Sequence, residues 1–150
     1  MSDRPSPAAG QAANPPAALY DRLGGRPVLL TLLRHFYADV RQHEEIAPVF
    51  AAKIADWPAH LEKIADFWSG VTGGPRLYTG GMPWKHVPLQ LEERHFLAWL
   101  ELWRRNCRIY LTADVADEMI AVAEAFGLRL RQIVAAYGPG DQPGAAAPRQ

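Results

Sequence analysis

The stretch PVLLTLLRHFYADVR, residues 27–41, sets the class of the fold. Leu29, Leu32, Leu33, Phe36, Tyr37 and Val40 recur at steps of three and four, the spacing that gathers side chains on one face of an α-helix. Pro27 falls in the first turn, where a missing amide proton costs nothing. Just upstream, Gly24-Gly25 separates this helix from a shorter helical piece around Leu19–Leu23.

The same period continues downstream. Ile46, Val49 and Phe50 predict a short, tight helical turn, interrupted by Pro48. Asp56-Trp57-Pro58 predicts a helix start, with an Asp cap followed by a first-turn proline. Leu61, Ile64, Ala65, Trp68 and Val71 then form an apolar stripe, which Gly73-Gly74-Pro75 stops. A longer helix is expected over Leu91–Ile109, with Phe96, Trp99, Leu100 and Trp103 on one side. Thr112 can cap a last helix to about Tyr137, whose buried side carries Met119, Ile120, Val122, Ala123, Phe126, Leu130, Ile133 and Val134. Nothing alternates with period two, so no strand is expected. These segments predict one all-α domain over 17–137, with about four main helices plus short pieces. Residues 1–16 and 138–150 offer little to bury and are expected to be disordered tails.

Composition narrows the function. Sixteen basic and sixteen acidic side chains in 150 residues leave no net charge to draw nucleic acid, and no like-charge block points to a membrane surface. Cys107 is the single cysteine, so an internal disulfide and a Cys-rich zinc site are excluded, in keeping with a reducing cytosol. The N-terminus lacks the basic start and apolar core of a secretory signal. No apolar run approaches the ~20 residues of a membrane span. A cytoplasmic protein is expected.

No phosphate-binding glycine loop, nucleophile elbow or metal-protease spacing is present. The five histidines are scattered at 35, 43, 60, 86 and 95. His35 and His43 are expected to face solvent, and His95 to be structural. His60 shares the apolar face of Ile64 and Trp68, which fits either a satisfied core histidine or one lining a cavity. Tyr37 carries the same two alternatives. Five tryptophans fill a core or wall a large flat ligand. The stretch GGMPWKHVPL, residues 80–89, presents Lys85 and His86 between Pro83 and Pro88, which leave room for little more than a helical turn. A haem would use these features together: His86 as a single iron ligand, Lys85 reaching a propionate, and tryptophans as walls. Tyr37, His60 and Trp99 would be polar tips on apolar bodies.

Five segments resemble the truncated, or two-over-two, haemoglobins, which pack two antiparallel helix pairs around haem. They are LYDRLGG (19–25), HFYADV (35–40), APVF (47–50), HLEKIADFWSGV (60–71) and KHVPLQLEERHFLAWLELW (85–103). The resemblance covers about residues 18–137 and rests on the joint order and spacing of these motifs. His60, DFW and HFLAWLELW are most similar to group III, while the double glycines at 24–25 and 73–74 are more typical of groups I and II.

The resemblance implies a haem b (iron protoporphyrin IX) ligated by His86, with Lys85, Phe50, Ile64, Phe67, Trp68, Tyr78 and Met82 around it. Tyr37 takes the ligand-binding position, with His60 and Trp99 as further ligand-stabilising groups. The implied activity is reversible binding of O2, NO and CO. NO detoxification and peroxide-related redox chemistry are compatible with such a site, and turnover would need a separate reductase. A haem-based gas or redox sensor is the alternative, and a haem-free helical interaction module the plain one.

Overall fold

A computed structural model describes residues 17–79 and 91–137. The two expected tails and the stretch 80–89, with Met82, Lys85 and His86, lie outside the described residues. Among the described residues six helices follow in order: α1 Leu19–Leu23, α2 Gly25–Val40, α3 Ala47–Ala51, α4 Trp57–Val71, α5 Glu93–Tyr110 and α6 Ala113–Tyr137. Among the described residues there is no strand.

Two helix pairs make the body. Arg26, early in α2, pairs with Glu62 and Asp66 in the middle of α4, while Tyr37 near the end of α2 meets Trp57 and His60 at the start of α4. The two helices therefore run antiparallel. α5 and α6 do the same: Arg131 reaches back to Glu93, Arg104 to Glu124 and Arg108 to Asp117. These ion pairs are largely exposed, so each contributes little. Burial holds the pairs together. Leu29, Leu32, Leu33, Phe36 and Val40 of α2 are fully buried, as are Trp103 and Cys107 of α5 and Met119 of α6.

The helix ends follow local chemistry. Gly24 closes α1 and opens α2 with φ of 114°, a left-handed conformation. A Cβ there would lie 2.4 Å from Val28 Cγ2. Gly24→Ala is expected to cost about 1–3 kcal/mol, seen as a lower urea midpoint; an unchanged midpoint would mean the turn relaxes freely. Asp56 caps α4, its Oδ1 accepting from the Ala59 N–H at 3.1 Å. At the start of α5 a reciprocal cap forms: the Glu92 carboxylate accepts from the His95 amide, and His95 Nδ1 accepts from the Glu92 N–H at 2.8 Å.

Several expectations need correction. Pro48 does not interrupt the short helix; it sits in the first turn of α3, where it is tolerated. Val71 leaves the apolar stripe and is 45% exposed at the last residue of α4. The Thr112 hydroxyl donates to the Asp114 carboxylate at 2.9 Å. His35 is exposed, as expected, and also stacks on Tyr110 at 4.3 Å. His43 is half-buried and its Nδ1 accepts from the Glu45 amide.

Burial also sets an alkaline limit. It pushes the Cys107 thiol up from 9.0 to about 12, and the Tyr37 phenol well above its ordinary 10.0. Between pH 9 and 12 the unfolded chain releases these protons while the folded one keeps them. The unfolded state then binds fewer protons, so stability falls as pH rises through that window. The urea midpoint should decline over that range, less steeply in Cys107→Ala; equal slopes would show that the thiol is not a contributor.

Candidate functional site

A cavity of about 410 Å³ lies between the two helix pairs, within the ~300–1,000 Å³ usual for small-molecule sites. α2 supplies Tyr37. α3 supplies Val49 and Phe50. α4 supplies His60, Ile64, Phe67 and Trp68. α5 supplies His95, Phe96 and Trp99, and α6 supplies Phe126, Gly127 and Leu130. Tyr78, from the segment after α4, packs edge-on to Phe67 at 5.7 Å. Every site residue expected from the sequence that lies within the described residues is therefore on this one cavity.

The wall is aromatic and rigid. Trp68 stacks on Trp103 at 4.5 Å with 14° between planes, and Trp103 lies parallel to Trp99 at 6.2 Å and 4°. The outer two indoles face the cavity and the middle one is fully buried behind them. Phe36 braces the stack edge-on, 4.9 Å from Trp103 and 5.8 Å from Trp99. Phe67 touches both Trp68 and Phe126 and joins α4 to α6 across the cavity.

Among the polar side chains on the cavity, Tyr37 is the most buried apart from Trp68. The phenol is buried, and loss of hydration raises its pKa, so it stays neutral and keeps its proton. The Trp99 side chain acts in the opposite direction, lowering that pKa, but does not outweigh burial. A neutral phenol keeps its hydroxyl proton available as a hydrogen-bond donor. His60 stands 6.4 Å from Tyr37, ring to ring and edge-on.

Some lining residues were not foreseen as site residues. Lys53 and Lys63 are exposed cations that also border the cavity. Lys63 follows His60 by three residues on α4, so helical spacing alone could have placed it beside the site. His95 was expected to be structural, and it both caps α5 and lines the cavity. Phe96 and Phe126 were assigned only to helix faces. Gly127 is buried inside α6, yet a Cβ on it would meet no atom within 4 Å. A helical glycine costs about 1 kcal/mol relative to alanine, so here bare backbone forms part of the wall of an open space.

A family model for the bacterial-like globins matches residues 18–124, most of the chain and nearly all of the described helices. The chain belongs to that family. This globin is 26% identical over 112 residues to the group 3 truncated haemoglobin of Campylobacter jejuni, covering 71% of the present chain and 88% of the relative. The crystal structure of the group III truncated haemoglobin from Campylobacter jejuni superposes with a TM-score of 0.71 at 25% identity, over 76% of this chain and 94% of the other. The two-over-two haemoglobin of Synechococcus sp. PCC 7002 shares the fold, with a TM-score of 0.70 at 24% identity over 79% and 98%. The globin fold is thus the truncated two-over-two form, and membership implies haem binding. The cavity fits such a group: aromatic walls suit a flat apolar macrocycle, the open space at Gly127 leaves room for it, and two lysines border the cavity. Among the described residues no helix is long and apolar enough to cross a membrane.

Proposed function

We propose that this globin holds haem b in the cavity and reversibly binds O2, NO and CO on the side bounded by Tyr37. The observation that supports this most is a buried, neutral Tyr37 that lines a cavity walled by Phe50, Phe67, Trp68, Phe96, Trp99 and Phe126. When bound, haem supplies an iron centre with a face open to a diatomic gas.

The chain's own residues do the rest. His86 would hold the iron, and Met82 and Lys85 would be further haem-contacting residues. Lys53 and Lys63, with Lys85, supply cations for the carboxylates at the macrocycle edge. Phe50, Ile64, Phe67 and Trp68 exclude water and hold the ring plane. Tyr37 would donate a hydrogen bond to the gas ligand, with the Trp99 indole N–H as a further donor. His60 controls access beside Tyr37 and adds a second donor. A low-spin ferrous spectrum abolished by His60→Ala would instead make His60 an iron ligand in the gas-free protein.

Turnover on NO or peroxide would draw electrons from a separate reductase, and the cytoplasm is the proposed location. The test is haem titration of the purified protein. A saturable Soret band is expected, its formation lost in His86→Ala. No uptake by the wild type overturns the proposal.

A further inference from the structure

Trp57 belongs to none of the cavity walls, yet it touches three residues that do. Its ring lies 5.6 Å from Tyr37, 6.3 Å from Phe50 and 5.5 Å from His60, the last edge-on. Those three come from α2, α3 and α4, so one indole behind the wall joins three helices. Its own backbone is anchored: it is the first residue of α4, with the Asp56 cap before it and Pro58 after it. On its other side the Arg41 guanidinium sits over the ring at 4.8 Å. Arg41 ends α2, and its amide donates to the Tyr37 carbonyl at 2.9 Å. Tyr37 and Arg41, one helical turn apart, thus both pack against Trp57. Arg41 is exposed and Trp57 half-buried, so the clasp closes from the solvent side.

We propose that Trp57, clasped by Arg41, is a positioning residue that fixes Tyr37 and His60 relative to each other. The assignment rests on the gas-binding role proposed above. The physical ground is packing. Tyr37 and His60 are 6.4 Å apart at their centroids, and the Trp57 ring packs against both. Without that ring each side chain gains rotamer freedom, and a donor held loosely loses its hydrogen bond more often. A role confined to stability would weaken the fold and leave ligand release alone.

A double-mutant cycle separates the two on the haem-loaded protein. Trp57→Leu is expected to raise the O2 dissociation rate at least about threefold when Tyr37 is present, and less than about twofold in the Tyr37→Phe background. Trp57→Phe keeps a ring in place and should restore most of the wild-type rate. Arg41→Ala should move the rate in the same direction by about two- to fivefold, the range of an exposed cation–π contact. Equal rate changes in the two Tyr37 backgrounds, or an unchanged rate in Trp57→Leu, overturn the proposal. A second readout needs no haem: Overhauser contacts between the Tyr37 and His60 rings in the protein as purified. They should persist in Trp57→Phe and vanish in Trp57→Leu. Their survival in Trp57→Leu overturns the positioning role even if the protein takes up no haem, a result that would separately end the gas-binding reading.

Discussion

Trp103→Ala is expected to cost about 3–5 kcal/mol of folding stability. The indole is fully buried, stacked on Trp68, parallel to Trp99 and met edge-on by Phe36. Its Nε1–H donates to the Met119 carbonyl at 3.1 Å, the buried hydrogen bond that ties α5 to α6. Truncation removes all of these at once and leaves a void between two rigid rings that cannot close around it. A domain of this size holds only about 5–15 kcal/mol in total, so the variant should lose roughly a fifth or more of it. Urea unfolding followed by far-ultraviolet circular dichroism measures this directly. The same change frees Trp68 and Trp99, both of which line the cavity, so haem affinity should fall with it. A midpoint within error of the wild type would mean that the stack carries little of the fold.

Tyr37→Phe is expected to speed O2 release at least tenfold while leaving the fold intact. The substitution keeps the ring packed against Phe36, Phe50 and Trp57 and deletes only the hydroxyl. A hydrogen bond to a charged or strongly polarised acceptor contributes about 1.5–3 kcal/mol, and about 1.4 kcal/mol is a decade in rate or equilibrium constant. The buried phenol stays protonated far beyond neutral pH, so the donor is present throughout the physiological range. O2 release should therefore vary little with pH on account of Tyr37. Stopped-flow displacement of O2 by CO measures the rate. A rate within twofold of the wild type would transfer the main donor role to His60 or to Trp99. Trp99, which also lines the cavity, is a remaining N–H donor in the variant, so the effect should approach its maximum only in Tyr37→Phe combined with Trp99→Phe.

Trp68, Trp99 and Trp103 carry both predictions, and they show how one set of rings serves two ends. Trp103 completes the core, while the rings on either side of it are cavity wall. Of the two alternatives open at the level of composition, core filler or ligand wall, Trp103 is core, and Trp68 and Trp99 line the cavity proposed to hold the ligand.

The helical class, the order of segments and most of the site residues were legible in the chain itself. Period-three-and-four spacing is imposed by helix geometry, so Leu29 to Val40 could form little else, and glycine and proline punctuation at Gly24 and Asp56-Trp57-Pro58 marks ends through local backbone chemistry. Tyr37, Phe50, His60, Ile64, Phe67, Trp68, Tyr78 and Trp99 came from spacing and motif order, and the fold gathers all eight. What only the tertiary structure decided is which residues on a buried face meet another helix and which meet empty space. Phe96, Phe126 and Gly127 share the periodicity of ordinary core positions, and nothing local distinguishes a side chain packed on a neighbour from one facing a cavity. Trp57 is the sharpest instance. In the sequence it is the first residue of a capped helix. Its contacts to Tyr37, Phe50 and Arg41 arise only when α2, α3 and α4 converge, because each lies outside the reach of helical spacing.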